Sequence, residues 1–414
     1  MQPLEKSVNK GEPELRRAIG LPLLVLYGLG ITIGAGIYVL ISEASAKAGL
    51  YAPSAFLVAA FVMTFSALSF AEFSGRVPQS AGEAVYVDAA FGWRWLTLGV
   101  GLSIIFAATI AGAAISLGCA GYVAELVDLP QSVIVSVIVL TMGMLAARGI
   151  KESVGFAGVL TVIEILGLAI IVVAGFLKNP GMLHELPTAF PPFSDALALK
   201  GVFLASLIAF FAFIGFDDIV NLVEETKDPR RTMPWAIIIS LIAVTVIYFL
   251  VMFVAVQSVP GPDLAGSRAP IGLLFERLTG MSPLAITLIA IVATLNGVVI
   301  EIIMAARVIY GLGKKGRLPK FLSQVDPHRR TPRTATFLIT AAMLIFALIA
   351  PLDFLASLTS QIILAVFGLV NLSLVILKLR GEPAPENTFT VPILCPIVGV
   401  VTCLIMLFGP LLLS

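Results

Sequence analysis

Four carboxylic acids, Glu164, Asp217, Asp218 and Glu301, stand in stretches that are otherwise almost wholly apolar. Glu164 lies eleven residues beyond Ser153, about 16 Å along a helix at ~1.5 Å per residue. Glu301 precedes Lys314 by thirteen residues, about 20 Å by the same rise. At that depth an unpaired carboxylate is costly and a bound proton or metal ion removes the charge, so Glu164 and Glu301 are candidates to carry a coupling ion. Two interruptions by glycine accompany these acids: Gly28-Leu29-Gly30-Ile31-Thr32-Ile33-Gly34-Ala35-Gly36-Ile37, and Phe210-Phe211-Ala212-Phe213-Ile214-Gly215-Phe216-Asp217-Asp218. An unwound segment inside a bilayer frees backbone N–H and C=O groups that lipid cannot satisfy. The N–H groups suit an anion and the carbonyls a cation. A small zwitterion, an amino acid, would satisfy both near Gly34-Ala35-Gly36 and the stretch from Phe211 to Gly215.

The elements that must hold these groups follow from composition. The chain has 414 residues, 59% of them hydrophobic and 12% charged, with a mean hydropathy of +1.04. Soluble domains carry about 25% charged residues. Half that cannot cover a globule's surface, so an all-α integral membrane protein is expected. Apolar runs long enough to cross a bilayer occur at 20–42, 52–73, 95–123, 131–148, 153–177, 199–223, 234–257, 283–312, 334–350, 353–378 and 391–413. That predicts eleven transmembrane helices. Residues 1–19 are polar, have no signal-like apolar centre, and read as a cytoplasmic segment.

Twenty-one of the 26 Lys and Arg residues fall on one side of this arrangement; Lys47, Lys178, Lys200, Arg268 and Arg277 fall on the other. The bias predicts a cytoplasmic N-terminus and an external C-terminus in the plasma membrane, the inner membrane of a prokaryote. The glycine breaks lie in spans 1 and 6. Five is odd, so a second five-span unit must sit upside down, and matching breaks predict two inverted five-helix repeats with discontinuous helices 1 and 6. The repeats are expected at 20–178 and 199–379, with an appended eleventh helix at 390–414. The competing reading of the glycines is close helix packing.

Several functions are excluded. No phosphate loop exists, because Gly311-Leu312-Gly313-Lys314-Lys315 lacks both the spacing and the hydroxyl. His184 and His328 lie in loops on opposite sides, and Cys119, Cys395 and Cys403 sit singly in apolar sequence, so no metal set and no cofactor is expected. A net charge of +1 provides no field for nucleic acid. An enzyme is not expected.

Four stretches together are specific: Gly34-Ala35-Gly36-Ile37; Ala71-Glu72 with Pro78-Gln79-Ser80-Ala81-Gly82 and Tyr86; Phe213-Ile214-Gly215-Phe216-Asp217 running to Glu224-Glu225-Thr226-Lys227-Asp228-Pro229-Arg230-Arg231 and Pro234; and Arg307 to Tyr310 leading to Gly316-Arg317-Leu318-Pro319 and Thr331-Pro332. In their order the chain resembles the amino acid–polyamine–organocation (APC) superfamily of transporters, in the cationic amino acid transporter-like branch that includes proton-coupled bacterial permeases. The resemblance implies that a substrate carboxylate meets the amides of Gly34, Ala35 and Gly36, and that its ammonium meets carbonyls at Thr32, Phe211, Ala212 and Ile214. Members commonly have a twelfth span where eleven are expected here, and a monomer or weak homo-oligomer is the matching expectation. Where many branch members carry a lysine in span 5, this chain has Glu164, and span 3 lacks the branch's acidic residue between Ser103 and Gly118.

The expected function is a secondary active transporter, a symporter of a small neutral amino acid driven by protons through alternating access. Alternatives are a sodium-coupled or uncoupled transporter of cationic amino acids, polyamines or other organocations, with Thr294, Asn296 and Glu301 as further oxygen ligands, and a channel or a transporter-like sensor.

Overall fold

A run of some twenty apolar residues in lipid can pair its backbone polar groups only within itself, which makes it helical. The computed structural model follows that rule. It describes residues 17–79, 82–148, 154–314, 316–326 and 331–413. Most of the polar N-terminal stretch, Ser80-Ala81, Glu152-Ser153, Lys315, His328 and Ser414 lie outside them. Among the described residues there is no β-sheet, only one isolated bridge between Ile19 and Thr226.

The helices are α1 (Leu21–Ala35), α2 (Ile37–Ala48), α3 (Ala52–Arg76), α4 (Gly82–Phe91), α5 (Arg94–Ala124), α6 (Gln131–Arg148), α7 (Val154–Lys178), α8 (Ala196–Phe213), α9 (Pro229–Ser258), α10 (Gly261–Gly266), α11 (Pro270–Thr279), α12 (Leu284–Lys314), α13 (Arg333–Ile349), α14 (Leu352–Leu379) and α15 (Leu394–Leu413). Nine described helical stretches are long and apolar enough to cross a membrane, and two apolar helices, Leu21–Gly34 and Arg333–Ile349, are shorter. One of the nine runs from Ile37 to Arg76, but Gly49, at φ +55°, turns the chain between α2 and α3. With 15 residues, α1 reaches only about 22 Å and cannot cross ~30 Å of hydrocarbon alone. Eleven crossings therefore require α1 and α2 to act as one interrupted span and the 17-residue α13 to cross as well.

Polar contacts tie the loops to one another. Ala18 donates to Glu225, Arg76 to Glu382, Arg230 to Glu386, Thr331 to Ala147 and Lys178 to Arg277, and Lys47 forms an ion pair with Asp353 at 3.6 Å.

The helices α3 and α14 and the segment just ahead of α15 meet at Glu72, which is fully buried. Its Oε1 accepts from Arg76 Nε and Lys378 Nζ, both at 2.8 Å. Its Oε2 accepts from the Val391 amide at 2.8 Å. Both carboxylate oxygens are thus engaged, the condition under which a buried charge is tolerated.

Candidate functional site

The two breaks differ in extent. In span 6 the helix stops at Phe213, Ile214 is extended (φ −64°, ψ 140°), and helical geometry resumes only as a 3₁₀ turn at Asp217–Leu222. Gly215 has φ +121°, a conformation open to glycine and strained for other residues. A side chain there would also meet Ile31 at 2.7 Å. Asp217 Oδ1 accepts from the Gly215 amide at 2.9 Å, closing the loop.

In span 1 the interruption is a single residue. Gly34 and Ala35 remain helical, and Gly36 alone separates α1 from α2, its amide 3.3 Å from the Ile33 carbonyl. Gly36 is held by proximity: a Cβ would lie 2.7 Å from Ala212 Cα and O and from Tyr248 Oη.

Tyr248, from α9, stands where the two breaks cross. Its hydroxyl proton lies between the carbonyl oxygens of Thr32 at 2.7 Å and Ala212 at 2.9 Å, and the Ile37 amide faces the same oxygen. The ring is fully buried, edge-on to Phe213 and Phe56 with centroids 5.2 and 5.7 Å away. Of the carbonyls expected at the site, those of Thr32 and Ala212 converge on this one hydroxyl, while Phe211 O accepts from the Ile214 amide at 3.1 Å. Sequence reasoning missed Tyr248. The available signal was one polar aromatic inside the apolar run 234–257, since a buried Tyr hydroxyl needs a partner.

Glu164 is 3% exposed. Its Oε2 has no hydrogen-bond partner among the described residues and lies 3.7 Å from where a Gly34 Cβ would be. The same Gly34 position is 3.1 Å from the Ala293 carbonyl of α12, so α7, α1 and α12 meet beside the span 1 break. Tyr38 donates to the Glu164 backbone carbonyl at 3.1 Å, and Tyr122 donates to the Tyr38 carbonyl at 2.5 Å, tying α2 and α5 to this junction.

Glu301 is elsewhere. It is eight residues along α12 from Ala293, about 12 Å, and it faces Asp217 and Asp218. Glu83 of α4 joins that group through a hydrogen bond to Asp217. Two carboxyls sharing a hydrogen bond need a proton between them. Loss of water and then the neighbouring Asp217 hold the Glu83 carboxyl well above the usual range. The Thr294 hydroxyl already donates to Ala290 O at 2.7 Å. No set of three or more His, Cys, Asp or Glu side chains able to hold a metal ion occurs among the described residues.

A family model described as amino acid permease matches residues 19–413. A branched-chain amino acid permease of Bacillus subtilis is 30% identical over 97% of this chain and 88% of its own length. A vacuolar cationic amino acid transporter of Arabidopsis thaliana is 29% identical over 90% of the chain, which spans 62% of that longer protein. A methylthioribose transporter of Bacillus subtilis is 28% identical over 97% of the chain and 90% of its own length.

Proposed function

Because the chain belongs to the amino acid permease family of the APC superfamily, a family of multi-pass membrane transporters rather than enzymes, we propose that it is a secondary active symporter of a small neutral amino acid, driven by protons. The observation that carries this reading is the convergence of the Thr32 and Ala212 carbonyls, from two interrupted spans, on the single hydroxyl of Tyr248. A substrate ammonium offers three donors. It would displace that hydroxyl and take these carbonyls with those of Phe211 and Ile214. The substrate carboxylate would then lie against the backbone at Gly34, Ala35 and Gly36. The Gly36 amide faces Ile33 O at 3.3 Å, and a substrate carboxylate would compete with that carbonyl for it.

Glu164 is the proposed proton carrier. Its orphaned Oε2 beside Gly34 supports the role, because a protonated carboxyl is the cheaper form in a dry junction. Glu301 and its acidic neighbours Asp217, Asp218 and Glu83 form a second, separate place for a proton. Inverted repeats, a cytoplasmic N-terminus, an external C-terminus and alternating access between the bundle of spans 1, 2, 6 and 7 and the remainder complete the reading. The neutral substrate class rests on span 3 carrying no acid between Ser103 and Gly118. The similarity to a branched-chain amino acid permease agrees with it.

The test is uptake into proteoliposomes. Saturable uptake with counterflow of neutral amino acids, and accumulation under an inward proton gradient without sodium, is expected. A sodium requirement, exclusive transport of cationic substrates, or non-saturating flux would replace this reading with the corresponding alternative.

A further inference from the structure

Away from both breaks, α6, α12, α13 and the loop after α12 enclose a cavity of about 840 Å³. Ile303, Arg307, Tyr310 and Lys314 line it from one side of α12. At about 100° per residue these positions lie roughly 180–240° around the helix from Glu301. The cavity therefore backs onto the side of α12 opposite the acidic cluster, off the proposed substrate path.

Among the described residues the lining contains two cations and no carboxylate. Lys314 Nζ lies over the Tyr310 ring, 5.6 Å from its centroid. Among the described residues neither Arg307 nor Lys314 forms an ion pair; nearby, Asp326 is engaged by Arg333 at 3.1 Å. The Ser and Thr hydroxyls of the lining are already spent as donors: Ser323 on Lys320 O, Thr331 on Ala147 O and Thr336 on Pro332 O. The two cations, with the Tyr310 hydroxyl between them in sequence, are left to meet a ligand.

Arg307 precedes Lys314, the last residue of α12, by seven residues, about 10 Å deeper along the helix. A guanidinium at that depth needs an anion or water. The wall beside it, with Ala146 and Ala306, is apolar.

We infer that this cavity binds a phosphate group, with Arg307 and Lys314 as its two cationic contacts. Both side chains are exposed along the cleft, and a guanidinium fork with an ammonium two turns further along α12 matches the tetrahedral anion. The volume exceeds that of a free phosphate and accommodates the headgroup of an anionic phospholipid, whose glycerol would rest on the apolar wall. Basic pockets between transmembrane helices recognise such headgroups.

Native mass spectrometry of the full chain, titrated in detergent with phosphatidylglycerol or phosphatidylcholine, tests the inference. Phosphatidylglycerol should be retained in preference. Arg307→Gln and Lys314→Gln should each weaken retention about fivefold, and the double variant about thirtyfold. Arg307→Lys, which keeps the charge and loses the fork, should retain more than Arg307→Gln and less than the wild type, whereas Ala306→Trp, which fills the cavity without changing charge, should lose it. Arg230→Gln, a cation outside the cavity, should have no effect. Should Arg307→Gln not purify as a single species, Lys314→Gln at the helix end and Ala306→Trp carry the test. Displacement of the lipid by inorganic phosphate would make the phosphate alone sufficient; failure of phosphate to displace it would assign the site to the lipid, and both support the inference. Equal retention of the two lipids, or unchanged retention in the double and Ala306→Trp variants, would overturn it, as would displacement by free amino acids alone. None of these readouts depends on transport.

Discussion

The hydroxyl of Tyr248 stands 2.7 Å from the carbonyl oxygen of Thr32, 216 residues away in the chain. It closes a junction at which both interrupted spans present backbone carbonyls. Tyr248→Phe leaves the Thr32 and Ala212 carbonyls without that donor. It should destabilise the ligand-free protein by about 1–3 kcal/mol. If a substrate ammonium takes the same carbonyls, the variant's ligand-induced rise in melting temperature should exceed the wild type's. A smaller rise would mean that the hydroxyl contacts substrate rather than stands in for it.

Gly36 meets Ala212 and Tyr248 too closely for any side chain. The 2.7 Å approach is to the Ala212 backbone, which cannot swing aside as a side chain could. Gly36→Ala should abolish uptake and also lower stability by about 1–3 kcal/mol, the usual cost of overpacking. Parallel counterflow and thermal denaturation measure both, and retained uptake would remove span 1 from the site.

Glu164→Gln substitutes a permanently neutral side chain that mimics the protonated carboxyl and cannot cycle. Substrate binding and counterflow should persist while proton-driven accumulation is lost. With substrate initially equal on both sides of the proteoliposome membrane, any remaining accumulation under a proton gradient would exclude Glu164 as the carrier.

Glu72 holds α3, α14 and the segment just ahead of α15 together through Arg76, Lys378 and the Val391 amide. Glu72→Gln leaves two cations without their shared anion and should cost about 3–5 kcal/mol. Thermal denaturation in detergent should reveal it. An unchanged melting temperature would show that water replaces the carboxylate.

Glu83, in α4 outside the spans, keeps its proton to higher pH than an ordinary carboxyl, first because it is removed from water and then because Asp217 adjoins it. The folded protein therefore binds a proton that the unfolded chain has released above the ordinary carboxylate range. Its contribution is fully present at acid pH and is lost as pH rises through the folded value. Asp218 adds to the effect of Asp217, and a backbone hydrogen bond at Glu83 opposes them without reversing the direction. Glu83→Gln should flatten this part of the stability profile, read by thermal denaturation across pH. A profile identical to the wild type's would remove Glu83 from the proton-holding pair.

The sequence by itself determined the helices and the places where they break. Lipid leaves an apolar run no partner but its own backbone, and glycine marks where that pairing lapses. It also marked Glu164 and Glu301 as acids at depth. Only the tertiary structure decided that they do not share a site, because helix rotation and depth direct Glu164 to Gly34 and Glu301 to Asp217 and Asp218. The span 1 break narrowed to one residue because α1 and α2 are held against the Ala212 backbone and Tyr248. The convergence of Tyr248 on Thr32 and Ala212, and the walls from α6 and α13 that face Arg307 and Lys314, depend on which faces of distant helices meet. Residue spacing along a single helix does not carry that information.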